Sequence, residues 1–494
     1  MTRPIDTLRR PRITGCVALF VLLAAAPAWA QEGVTGEIRW EPYDASIGGA
    51  KVAGAQLGRL RVPESRARAT GRTIDLAFVR LPGRAAGGTP LVYLDGGPGG
   101  SGVGVLGIPQ WSRLLDGLRD VGDVILLSQR GTGLSQPRLV CGPAGALPGD
   151  VLASRDALMR ALMPTLDACL ERWRDAVDLS SYNSRESAHD VDDVRRALGV
   201  ARVNLLGFSY GTHLGLAVMR EHGASLGRVV LAGTEGPDDT YKLPTVLDTQ
   251  LRMVSAQVAR DESTAAELPD LFATLEQALA ALERQPKQLD LGEGRRMTLG
   301  AEGLLYLLRA DIGDSNDLPL FPALIQDALE PESPGLAMVA RRRVDGLGRG
   351  ISLMTIAMDC ASGASPPRMQ RIRAEWDASL FGRMSDWDQP DVCERAGITV
   401  LDDAFRAPLH SDVPTLFVSG TLDANTPPFQ AERVRWGLSN SAHIIVENAG
   451  HESTLTQPPV QDAIVAFLRT GELRSAFIAV PVLDYLTRTE ALRR

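Results

Sequence analysis

An apolar run that stops on G-x-S-x-G and resumes as a helix constrains this chain more than any other feature of its sequence. In Val203-Asn204-Leu205-Leu206-Gly207-Phe208-Ser209-Tyr210-Gly211-Thr212 the run reads as a buried strand, and Leu214 to Met219 continue with helical character. A strand turning so sharply into a helix holds its serine in a strained backbone conformation. The flanking glycines remove Cβ atoms that would clash where strand and helix pass. Ser209 is expected to project from the carboxyl edge of a sheet, above a helix N-terminus whose N–H groups can stabilise an oxyanion.

Around that turn, strands and helices alternate. Leu57 to Pro63 and Arg72 to Pro82 alternate apolar and polar residues and read as an antiparallel pair joined by the polar segment 64–71. Pro90 to Leu94 is a buried strand that runs into Asp95-Gly96-Gly97-Pro98-Gly99-Gly100-Ser101-Gly102, a loop whose backbone must approach something closely. The Gly97 N–H is a candidate second oxyanion donor beside that of Tyr210. No Lys-Ser/Thr pair follows, so a phosphate-binding loop is excluded. Asp123 to Leu127 is the next strand, and 186–198 reads as a helix whose charges, from Asp190 to Arg196, form a solvated face. Arg228 to Ala232, Pro414 to Gly420 and Ala442 to Glu447 complete a mostly parallel sheet, with the last of them as its final strand. Between residues 238 and 405 no parallel-sheet strand is evident, and the leucine stripe Leu271, Leu275, Leu279, Leu282 is helical. That stretch reads as an all-helical insertion lying as a cap over the catalytic edge. The expected organisation is therefore a leader over 1–30, core over 31–237, cap over 238–405 and core again over 406–494.

The leader reading rests on Arg3, Arg9, Arg10 and Arg12, an apolar stretch from Ile13 to Ala26, and Ala28-Trp29-Ala30 as a cleavage site. It implies export to the periplasm or medium, by the general or the twin-arginine route, with no stable membrane association once the leader is removed. Ile13-Thr14-Gly15-Cys16 is not a lipid-attachment site, because the apolar segment follows the cysteine instead of preceding it. Export leaves Cys141, Cys169, Cys360 and Cys393, an even number in an oxidising compartment. Three connectivities are possible; the sequence-local pairs 141–169 and 360–393 are favoured, each stapling one excursion from the core. No C-x-x-C or histidine cluster suggests a metal site. A net charge of −8 leaves no electrostatic footprint for nucleic acid.

A serine hydroxyl is a weak nucleophile near neutral pH and needs a base, itself oriented by a third group. The chain order serine, acid, histidine, with acid and histidine each following a late strand, selects Ser209, Asp423 and His451. Of the six histidines, His189 and His222 fall on helices or their ends, His443 begins a strand, His410 precedes one, and His213 lies in the elbow helix itself. Asp402, Asp403 and Asp412 precede the strand that Asp423 follows.

Gly96-Gly-Pro-Gly-Gly-Ser-Gly102, Gln129-Arg-Gly-Thr-Gly133, Gly207-Phe-Ser-Tyr-Gly-Thr212 and the Gly450-His451 ending together resemble the proline iminopeptidase and tripeptidyl aminopeptidase family of exported serine peptidases. The resemblance spans about residues 55 to 470. It implies an α/β-hydrolase fold with a helical cap, peptide substrates with a free N-terminus, an acyl-enzyme, and no metal or organic cofactor. At one position the chain departs: Asp95 stands where proline iminopeptidases usually carry histidine. The family holds its substrate's ammonium with cap-side carboxylates. Glu235 is read either as such an anchor or as a plain turn carboxylate in Glu-Gly-Pro-Asp. A carboxylesterase or other acyl hydrolase could use the same three residues. A catalytically silent binding protein would not need all of them.

Overall fold

The computed structural model of the chain describes residues 36–493, apart from 69, 70, 85, 143 and 144. The leader expected over 1–30 lies outside the described residues. Ten strands form one sheet: β1 (Arg39–Pro42), β2 (Gln56–Pro63), β3 (Thr73–Leu81), β4 (Leu91–Leu94), β5 (Val124–Ser128), β6 (Val203–Phe208), β7 (Leu226–Ala232), β8 (Thr415–Gly420), β9 (Ser441–Glu447) and β10 (Ala476–Ala479), in the order β1-β2-β3-β5-β4-β6-β7-β8-β9-β10. The first three strands and the β3–β5 pair are antiparallel, with Gln56 opposite Arg80 and Pro63 opposite Thr73, and from β5 onward every pairing is parallel. β10 lies beyond the strand expected to close the sheet, because the tail folds back beside β9.

The elbow strand shows why the central strands read as continuous apolar runs. Leu205 and Leu206 are both fully buried, yet they serve opposite faces of the sheet, as the two-residue period of a strand requires. Leu205 joins Val191, Val194, Leu214 and Val218 from the helices Ser184–Ala197 and Tyr210–His222. Leu206 joins Leu114, Leu118, Ile464 and Phe467 from the helices Ser112–Leu118 and Pro458–Thr470. The nucleophile elbow therefore stands at the centre of a sheet covered on both sides.

The charged side of the helix Ser184–Ala197 is not solvated as the sequence suggests. Glu186, Asp190, Asp192 and Asp193 are all buried. Arg130, fully enclosed, binds Asp190 through Nε and Nη2 at 2.8 and 2.7 Å and gives Nη1 to the carbonyls of Glu64 and Ser181. Arg66 reaches the same carboxylates from the other side, at 2.8 Å to Glu186 and Asp190 and 2.5 Å to Asp193. Two arginines thus turn a charged face into an interior one, and breaking a buried pair of this kind costs about 3–5 kcal/mol.

The chain between β7 and β8 is mainly helical, but not all-helical. Lys287–Asp290 and Arg296–Leu299 form an antiparallel hairpin, Lys287 opposite Leu299. Leu289, Leu291, Met297 and Leu299 alternate inward, and the turn places Gly292, Glu293 and Gly294 at positive φ, which the two glycines accommodate. The helices Pro244–Val258, Leu271–Arg284, Ala301–Arg309, Phe321–Leu329 and Pro334–Gly348 share one apolar cluster that also takes in Val151, Leu152, Leu158 and Leu162 from before the insertion and Tyr485 from the tail, whereas Leu353–Ser362 packs into the cluster that holds Leu205. The cap core is therefore completed by chain outside 238–405. Cys141 is bonded to Cys169 and Cys360 to Cys393. Each closes a loop of about 30 residues, a constraint on the unfolded chain of roughly 3–4 kcal/mol apiece. Among the described residues no helix is long and apolar enough to cross a membrane.

Candidate active site

Ser209 has φ 54° and ψ −127°, a conformation that non-glycine residues avoid. Neighbouring contacts enforce it. A Cβ on Gly207 would lie 2.4 Å from the Gly211 carbonyl oxygen, and one on Gly211 would lie 2.0 Å from that of Leu94, so neither position admits a side chain. The Ser209 N–H donates to Ala232 O at the end of β7, and Thr212 Oγ1 donates to Ser209 O at 2.6 Å. The hydroxyl of Ser209 has no hydrogen-bond partner among the described residues and faces a cavity of about 500 Å³.

His451 lines the same cavity, with Asp423 hydrogen-bonded to its ring. Asp423, fully buried in the loop after β8, accepts a 2.7 Å hydrogen bond on Oδ2 from His451 Nδ1. That hydrogen bond places the imidazole proton on Nδ1 and leaves Nε2 unprotonated in the neutral ring. Asp423 also accepts from the Thr426 hydroxyl on Oδ2 at 2.6 Å, and from the N–H groups of Asn425 and Thr426 on Oδ1 at 2.9 and 2.8 Å. Burial alone would raise its pKa, but the charge and hydrogen bond of His451 and the donors of Thr426 hold it below the usual carboxylate range. For His451 burial works to lower the pKa; the Asp423 charge and hydrogen bond outweigh it and leave the imidazole more basic than usual. The ring packs on Phe208 at 4.9 Å between centroids, and the His451 N–H donates to Gly313 O in the insertion.

The glycine-rich loop after β4 runs directly beside Ser209. A Cβ on Gly96 would meet Ser209 Cβ at 2.8 Å, and Gly97 adopts φ 115°. Among the described residues, neither the Gly97 N–H nor that of Tyr210, first residue of the elbow helix, is taken up by a backbone carbonyl outside that helix. Thr355 Oγ1 from the insertion donates to Pro98 O at 2.6 Å, pinning the loop from above. Asp95 sits under it and accepts from Tyr93 Oη at 2.8 Å and from the amides of Gly96 and Ser101; burial nonetheless raises its pKa.

The insertion supplies the far wall of the cavity, including Lys242, Arg309, Asp359 and Asp386. Glu235 lines the cavity too, but its Oε2 is held by Lys242 Nζ at 2.7 Å, while its buried Oε1, 4.0 Å from His213 Nδ1, accepts no hydrogen bond among the described residues. Asp359 is the carboxylate that the sequence reading missed. It is half-buried, its side chain accepts no hydrogen bond from the described residues, and its pKa stands well above the usual value, first through burial and then through the charges of Glu235 and Asp388. Its one sequence signal is a lone charge in the apolar helix Leu353–Ser362. The adjoining Cys360–Cys393 bond fixes the end of that helix. His213 is buried in the elbow helix, with Nδ1 bonded to Gly236 O and Nε2 to Ser362 Oγ. Among the described residues no group of three His, Cys, Asp or Glu side chains is arranged to hold a metal ion.

Residues 89–300 match the family model described as the alpha/beta hydrolase fold, and residues 378–476 that described as TAP-like protein. The chain has the α/β-hydrolase fold. Serine protease Hip1 of Mycobacterium tuberculosis is 27% identical to this α/β-hydrolase over 237 residues, 46% of this chain and 44% of the relative. Tripeptidyl aminopeptidase of Streptomyces lividans is 31% identical over 172 residues, 32% of either chain. Putative hydrolase YuaR of Escherichia coli is 24% identical over 166 residues, 34% of this chain and 32% of the relative. The matched part of this α/β-hydrolase spans less than half the length of each of these curated relatives.

Proposed function

We propose that the protein is an exported serine aminopeptidase that hydrolyses amide bonds near peptide N-termini. In this reading Ser209 Oγ attacks the carbonyl while His451 Nε2 takes its proton, and the N–H groups of Gly97 and Tyr210 receive the oxyanion. The departing amine leaves with the proton from His451, and water repeats the sequence to release the acyl group. The carrying observation is Asp359, a carboxylate without a partner in the cavity that holds the nucleophile. Five carboxylates line that cavity against the two cations Lys242 and Arg309, a wall that favours a cationic group. An ammonium at Asp359 would supply the charge that this side chain lacks. Glu235, already paired with Lys242, contributes its field beside it. The name of the Streptomyces relative fits the same reading. Export, to the periplasm or the medium, is supported by the leader-like pattern over 1–30 and by two disulfides.

The test is hydrolysis of free and N-acetylated prolyl, alanyl and tripeptidyl amides beside a short-chain aryl ester. Equal rates on free and acetylated amides, or turnover of the ester alone, would sink the aminopeptidase reading and leave an acyl hydrolase. Asp359→Asn is expected to reduce the preference for free over blocked N-termini by about 10- to 100-fold, mainly through KM. A pH signature accompanies it. Burial and the neighbouring carboxylates raise the Asp359 pKa, so its ionised form, the one that attracts an ammonium, is reached at higher pH than for an ordinary aspartate. KM for free amines should therefore fall as pH rises through that pKa, until the substrate amine loses its own proton near about pH 8. Asp359→Asn should flatten that limb. Thr426→Val, which removes one donor to Asp423 Oδ2, is expected to lower kcat about tenfold, and Thr426→Ser to restore most of it; stopped-time assays on the preferred amide measure both.

A further inference from the structure

Arg309 closes the helix Ala301–Arg309 and lines the cavity. Two of its nitrogens are held by uncharged acceptors: Nε donates to Ser385 O at 2.7 Å and Nη1 to Asn425 Oδ1 at 3.0 Å. The remaining terminal nitrogen, Nη2, has no partner among the described residues. Asp386, Asp388 and Asp423 act on the charge from a distance, but none closes an ion pair, and burial weighs against the charged form. Arg130, Arg155 and Arg368, buried elsewhere in the chain, each reach a carboxylate directly. Taking a guanidinium out of water is costly unless its donors are met. A rigid planar fork anchored at two nitrogens also fixes where the third points. The cavity therefore offers two unmet charges of opposite sign, Asp359 and Arg309, to a single occupant.

We propose that Arg309 is a specificity-determining subsite that receives an oxygen acceptor of the substrate, a carboxylate or a carbonyl carried by the peptide whose ammonium faces Asp359. The inference rests on the aminopeptidase reading and extends it from one contact point to two. Anchoring at both ends of a short N-terminal segment sets which carbonyl lies over Ser209.

The experiment compares wild type, Arg309→Gln and Arg309→Lys on free tripeptidyl amides that carry Glu or Gln at each position in turn, beside a short aryl ester. If the acceptor is a side-chain carboxylate, wild type prefers Glu over Gln at one position by about tenfold or more, and Arg309→Gln erases that preference. If it is a main-chain carbonyl, wild type does not discriminate, and Arg309→Gln loses about 10- to 100-fold on every peptide, mostly in KM, with the ester affected at least about tenfold less. Arg309→Lys, which keeps charge without the fork, falls between the two in either case. Peptide and ester rates declining in parallel, or peptide kinetics unchanged in Arg309→Gln, would overturn the proposal. Should Arg309→Gln fail to fold, wild type alone decides. Indifference both to the Glu/Gln exchange and to replacing the non-scissile amide carbonyls by methylene groups removes the subsite. Wild type that cleaves acetylated peptides as fast as free ones defeats the aminopeptidase reading itself, whatever Arg309 does.

Discussion

Ser209→Ala is expected to lower turnover of the preferred amide by about 10⁶-fold while leaving the fold intact. The size follows from removal of the attacking atom, since the oxyanion donors and the cavity remain and sustain only residual catalysis. The intact fold follows from local geometry. Alanine keeps the Cβ and therefore the same backbone demand at φ 54°, and the hydroxyl has no hydrogen-bond partner among the described residues to lose. Stability should change by no more than about 0.5 kcal/mol. The two measurements belong together: single-turnover and steady-state rates on a free-amine amide, and a thermal melt of the same preparation. Residual activity above about 1% of wild type with an unchanged melt would mean that another nucleophile serves the cavity. Loss of both activity and stability would instead show that Ser209 holds the elbow together, which the strained geometry does not require.

What the sequence made legible was local. The clashes that exclude a side chain at Gly207 and Gly211 lie between the elbow and the strand ends it touches, so the motif and the flanking hydrophobic pattern carry the same information. The glycine loop beside Ser209 and the short cystine loops were readable for the same reason. What escaped was long-range. Asp190 looks like a surface residue because its partners Arg130 and Arg66 stand 60 and 124 residues away. No helical period reports a counter-charge at that distance. Asp359 escaped because which side of a cap helix meets the cavity is set by packing between elements, not by the helix itself. The place of Glu235 at the cavity edge is legible, since it follows a core strand, but its pairing with Lys242 is not. The hairpin at 287–299 was hidden by its brevity, four residues a side next to a long leucine stripe.

Asp423→Asn is expected to reduce kcat by about 10⁴-fold at neutral pH, a loss out of proportion to the single atom exchanged. The surrounding donors decide why. Oδ1 of Asp423 is claimed by the N–H groups of Asn425 and Thr426, so an asparagine must place its carbonyl oxygen there and its NH₂ where Oδ2 stood. That NH₂ faces His451 Nδ1 and can only donate to it. The imidazole proton then moves to Nε2, the atom that accepts the proton of Ser209 in the proposed mechanism. The substitution thus keeps the shape of the site and inverts the tautomer of its base. A pH profile separates this from a general loss of structure. In wild type the Asp423 charge makes His451 more basic than usual, so kcat/KM should rise on an acid limb lying above the ordinary imidazole value of about 6.5. Without that charge, burial of the ring remains as the dominant influence and lowers the pKa. The limb of the residual activity should then move below that value. An acid limb that stays in place, or an asparagine variant retaining more than about a tenth of wild-type kcat, would remove Asp423 from the assigned role and leave His451 without an orienting partner.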